Sequence, residues 1–168
     1  MKYINKLDIY LRSLPTAKFI LIMTLISFIV DNILLILLEL LMKKDVGGPE
    51  LEEIPIVLLF LFVVIIVPII ETFIFQYIII RILKKINFLK NRMVLVMFIS
   101  AVVFGASHTY SIYYMFITFI TGILLAYTFV VYEDKKVSAF WVTTAIHGLI
   151  NGVSVVIVTL EVLYQKFF

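Results

Sequence analysis

No cysteine occurs among the 168 residues, which excludes disulfides, thiolate metal sites and a cysteine nucleophile. Charge is also scarce, at 15% of residues against 64% hydrophobic. That balance excludes a soluble globular domain, and a chain this apolar needs its whole length for spanning helices in one membrane domain. Histidine occurs only as His108 and His147. The basic excess is small, a net +3, and lies in short loops between apolar runs. Such loops suit an anionic cytoplasmic leaflet and give no reason to invoke nucleic acid.

What remains is a series of long apolar segments. Residues 1–16 make an interfacial amino-terminal segment, in which Ile4, Leu7, Leu11 and Leu14 alternate with Lys2, Lys6, Asp8 and Arg12. That spacing predicts a short amphipathic helix ending before Pro15, with a solvated basic tail as the alternative. The first span, residues 17–42, is too long for a signal-peptide core and lacks a small-residue cleavage site, so it is expected to stay as an anchor. It has no glycine and is expected at the periphery. Its one mid-span acid, Asp31, is expected to make a polar contact with another helix. Residues 43–53, with the sequence KKDVGGPELEE, form a turn-rich boundary.

The second span, residues 54–83, would be ~45 Å long as a straight helix against ~30 Å of hydrocarbon, so it must tilt, kink or protrude. Pro68 is the expected kink. Further spans are expected at residues 93–108, 112–132 and 137–164, separated by basic or short polar turns. Of the 14 Lys and Arg residues, eleven fall at the amino terminus and in the loops at 81–92 and 135–136. The other three are Lys43, Lys44 and Lys166. This asymmetry predicts about five helices, with the amino terminus cytoplasmic and the carboxyl terminus outside. The fold class is therefore all-α, a polytopic membrane helix bundle. Small residues four apart (Ala101 and Gly105, Gly122 and Ala126, Gly148 and Gly152) mark close helix packing and place a four-helix core in residues 54–164.

Chemistry concentrates in the polar residues of that core. Glu71 interrupts the second span, and an ionisable group in lipid is a functional candidate by default. Counted from the nearest basic loop, Glu71 and His147 lie ~15 Å deep, with Asn151 and His108 at ~22 and ~24 Å. His147 and Asn151 are i and i+4 on one helix and share a face. A carboxylate and a neighbouring histidine can activate water for attack on an amide, and a second histidine with an asparagine amide can hold the oxyanion. Buried polar groups that merely cross-link helices are the alternative for any one residue alone. Four at matching depth on three helices favour a catalytic set.

Glu71 to Gln76 in ETFIFQ, Phe104 to His108 in FGASH and His147 to Asn151 in HGLIN resemble, in order and spacing, the three motifs of the CAAX protease and bacteriocin-processing (CPBP or Abi) family. The resemblance covers roughly residues 54–158. It implies an intramembrane endopeptidase acting on a membrane-associated peptide or protein. Glu71 and His108 would activate water, and His147 and Asn151 would hold the oxyanion. The usual first motif has two adjacent glutamates and a following arginine; here those later positions are Thr72 and Gln76, a neutral polar pair in supporting positions. Glu71, His108 and His147 with a water would also compose a catalytic Zn2+ site. The metal-free alternative uses the same residues, and Asn151 suits an oxyanion better than zinc. A non-catalytic immunity or regulatory protein on the same bundle is the second reading. An ion pathway through Asp31 is disfavoured, because no ionisable chain reaches both surfaces. The richness in Ile, Lys, Phe and Tyr suggests a bacterial plasma membrane as the location.

Overall fold

The computed structural model describes residues 2–49 and 54–167. Residues 50–53, at the acidic end of the first loop, lie outside the described residues, as do the side chains of Lys2, Ile4 and Lys166. Among the described residues there are six helices and no strand. These are α1 (Lys2–Ser13), α2 (Thr16–Met42), α3 (Ile56–Lys85), α4 (Met93–Ala106), α5 (Ile112–Tyr132) and α6 (Ala139–Phe167).

Four of these, α2, α3, α5 and α6, are long and apolar enough to cross a membrane. The fifth expected span is shorter than its sequence suggests. α4 has only 14 residues, or ~21 Å at the helical rise, against ~30 Å of hydrocarbon. It stops at Ala106 because the residues that follow compete for its last carbonyls. Ser107 Oγ donates to Phe104 O at 2.7 Å, and His108 Nδ1 lies 2.8 Å from the same oxygen. His108 therefore sits in the turn beyond the helix, not on its final turn.

Polar contacts fix two ends of the bundle. At one end Lys84 pairs with Glu133 at 2.8 Å, and Lys135 Nζ donates to Arg12 O at 2.9 Å. These gather α1, the end of α3 and the α5–α6 connection. At the other end the hydroxyl of Ser111 donates to Val46 O and accepts from Tyr114 N, tying the α2–α3 loop to the start of α5. Helices α2 to α6 thus run alternately up and down, α4 completing one passage with the turn at 107–111. The basic loops share one end, as their charge pattern predicts.

Helix α1 is amphipathic in the expected manner. Leu11 is buried, Leu7, Ile9 and Tyr10 are exposed, and Arg12 makes an ion pair with Asp8. Helix α2, expected at the periphery, packs Phe19, Met23 and Ser27 into the bundle against α5 and α6 and leaves its other side to lipid.

Small residues set the closest approaches. A side-chain carbon at position 105 would stand 2.7 Å from Phe119 Cβ and 2.8 Å from Met115 O, and one at 122 would meet Phe104 and Ala101. Helices α4 and α5 can therefore touch backbone to backbone. Between α3 and α6 the same role falls to Gly148, where an added carbon would lie 2.7 Å from Val64 O. Position 152 is looser, at 3.5 Å from the Val64 side chain. Gly105→Ala should accordingly lower stability by ~1–3 kcal/mol, as overpacking does, whereas Gly152→Ala should be nearly neutral. Thermal unfolding of the two variants in one detergent checks this, and equal melting temperatures would contradict it.

Candidate active site

Helix α3 is wound in an unusual way on both sides of Glu71. Residues Phe60–Ile66 and Thr72–Ile79 are π-helical, and Val67 N–H bonds back to Phe62 O, five residues earlier. Tracts of this kind are rare and often occur at functional sites. Pro68 follows directly, buried and without an N–H. Val63 O and Val64 O are the two carbonyls a residue at position 68 would serve in a π or an α register. Helix α6 answers both. Asn151 Nδ2 donates to Val63 O at 2.9 Å, and the missing side chain of Gly148 admits Val64 O. Docking there places His147, one residue before Gly148, beside Glu71.

The Glu71 carboxylate lies between two imidazoles. His108 Nε2 is 3.6 Å from Oε1, and His147 Nε2 is 3.4 Å from Oε2. His108 is oriented from behind: a carbonyl only accepts, so the 2.8 Å contact with Phe104 O puts a hydrogen on Nδ1 and turns Nε2 toward Glu71. The buried ring of Phe104 holds both histidines, with centroids 4.6 Å from His108 and 5.8 Å from His147. His147 is 4% exposed, and its Nδ1 has no partner among the described residues. A water beside Glu71 and His108 could hydrogen-bond both, since their spacing is well within two hydrogen-bond lengths.

All of this borders one cavity of about 380 Å³ lined by Glu71, His108, His147 and Asn151. Pro49 and Tyr110, from the loops at that end of the bundle, line it as well. Of the residues predicted from sequence, Glu71, His108 and His147 meet directly. Asn151 reaches the cavity with one amide hydrogen already given to Val63 O. Thr72 and Gln76 do not line the cavity; both are fully buried, and their side-chain polar atoms have no partner among the described residues.

Asp31 is the addition. It accepts a 2.8 Å hydrogen bond from Thr121, the interhelical contact expected of it, and it also lines the cavity of Glu71. Counting thirteen residues from Lys18, ~20 Å, would have placed it in the same depth band. The support given by Phe104 left only a faint trace, its position four before His108.

Residues 53–153, well over half the chain, match the model of the Rce1-like type II CAAX prenyl endopeptidases. The chain belongs to that family. It is an integral membrane protein of the protease kind, in agreement with the motif resemblance. No curated protein and no solved structure matches the chain.

A metal on Glu71, His108 and His147 would need one oxygen and both Nε2 atoms aimed at a common point ~2 Å away. Here the nearest approaches are of each ring to a different carboxylate oxygen, and among the described residues no group of three His, Cys, Asp or Glu side chains is arranged to hold an ion. At 3.4 and 3.6 Å both nitrogens stand beyond direct hydrogen-bond distance of the carboxylate, which leaves room for a water between carboxylate and rings.

The Asn151 contact has a measurable consequence. Asn151→Ala would leave Val63 O buried without its donor, at a cost of ~1–3 kcal/mol. Its melting temperature should fall clearly below that of Ser154→Ala, which removes only a contact to Ile150 O within its own helix. If the two melt together, Asn151 does not dock α6.

Proposed function

We propose that this member of the family is an intramembrane endopeptidase that hydrolyses a peptide bond of a membrane-associated peptide or protein through water activated by Glu71. The observation that carries the reading is the Glu71 carboxylate held between His108 and His147 at the wall of a cavity. In this reaction Glu71 takes a proton from water while His108 orients the same water. The hydroxide oxygen bonds to the scissile carbonyl carbon, whose π electrons move to oxygen. His147, through an imidazole N–H, and the second hydrogen of the Asn151 amide stabilise that oxyanion. The intermediate collapses, the C–N bond breaks, and Glu71 returns its proton to the departing amine.

The residues act without a metal in this reading, because their placement suits proton transfer between a carboxylate and imidazoles. The basic end of the bundle faces the cytoplasm of a bacterial plasma membrane, which puts the carboxyl terminus outside. The cavity reaches the opposite end of the bundle through Pro49 and Tyr110, so a peptide enters from the outer interface.

Glu71→Gln, His108→Ala and His147→Ala, expressed at matched levels, should each reduce substrate processing ~10²–10⁴-fold, the usual contribution of a general base or its partner. If all three remain folded and active, the protease reading fails and a binding role, such as bacteriocin immunity, takes its place. A strong chelator should leave activity intact, with no stoichiometric metal on the purified protein. Stoichiometric zinc whose removal abolishes processing would overturn the metal-free form.

A further inference from the structure

The wall of the cavity facing α2 and α5 has its own chemistry. Asp31 is a carboxylate in the middle of a lipid-embedded helix, and a charge there ordinarily has a partner. Among the described residues it takes part in none of the ion pairs. Thr121 occupies Oδ1, and nothing described bonds to Oδ2. No lysine or arginine lines the cavity.

The neighbouring groups add acceptors and aromatic faces. Asn32, which lines the same cavity, gives one amide hydrogen to Phe28 O at 2.7 Å, and nothing described bonds to its carbonyl oxygen. Tyr110 and Tyr114 pack edge to face with centroids 5.5 Å apart and line it too. Aromatic faces attract cations.

We propose that this side of the cavity is a subsite for a basic side chain of the bound peptide, an ammonium or guanidinium group with Asp31 as its counter-ion. Calling the bound peptide a substrate rests on the proteolytic reading; the charge preference does not.

The test uses the full chain in lipid nanodiscs and two fluorescent apolar peptides that differ only in lysine against norleucine at one position. With Glu71→Gln as the non-cleaving background, the lysine peptide should bind about tenfold tighter, the ratio one desolvated ion pair supplies. Asp31→Asn keeps the shape of a neutral acid and removes the charge, so the ratio should fall to near one. Asp31→Glu should retain most of the preference, which guards against a folding defect in the first variant. Equal binding of both peptides, or a preference that survives Asp31→Asn, overturns the subsite. On the Glu71 protein the same pair is read as a ratio of kcat/KM. Preference in binding without any cleavage sinks the proteolytic reading alone, and cleavage without preference sinks the subsite alone.

Discussion

Backbone groups in lipid have no water to turn to, so each must be served from within the protein. In α3 that constraint is sharpened by Pro68, which cannot serve the carbonyls of the preceding turn. The π winding up to Val67 shifts the register, and α6 supplies the Asn151 amide to Val63 O and, at Gly148, the room for Val64 O. One missing N–H thus fixes how α3 and α6 meet. The contact of His147 with Glu71 follows from that docking. The motif HGLIN can be understood position by position: a ring for the carboxylate, a hydrogen for one carbonyl, an amide for the next.

The two histidines are held by different means. His147 is fixed by the helix that carries it, whereas His108 lies past the end of its helix and is fixed by Phe104, whose carbonyl takes Nδ1 and whose ring underlies both imidazoles. A rigid helix on one side and a pinned turn on the other surround a carboxylate that is itself part of a π-wound segment. Such support holds side-chain geometry in place.

Much of this was legible in the sequence because membranes make few demands and make them strongly. Apolar runs gave the helices, basic loops gave the end that gathers, and small residues four apart marked helices that pack closely, which the structure resolves into the α4–α5 and α3–α6 contacts. Depth counting placed Glu71 and the histidines in one band because helical rise is constant. It failed where the helix did: α4 looked like a span through His108, and only the competition of Ser107 and His108 for Phe104 O reveals why it ends at Ala106. Absence of glycine suggested a peripheral α2, yet Asp31 reaches the cavity from it through Thr121. The position of a single polar side chain about the helix axis was not readable by eye in so uniformly apolar a segment. Nor did i and i+4 spacing tell that Thr72 and Gln76 turn away from the cavity, since π winding alters the angle per residue on which that rule depends.

The shortness of α4 has a consequence for the membrane itself. Val94, Phe98 and Val102 are exposed on its outer side, so lipid tails beside it meet a hydrophobic surface ~9 Å shorter than the ~30 Å they normally span. A short hydrophobic stretch can be accommodated by thinning of the bilayer beside it, which here would fall above the turn at 107–111. Thinning there would bring headgroups and solvent toward His108 and, on the proteolytic reading, shorten the route of water to the site. Acyl-chain length thereby becomes a determinant of hydration at the site, and the same polypeptide is a different chemical environment in a thin bilayer and in a thick one.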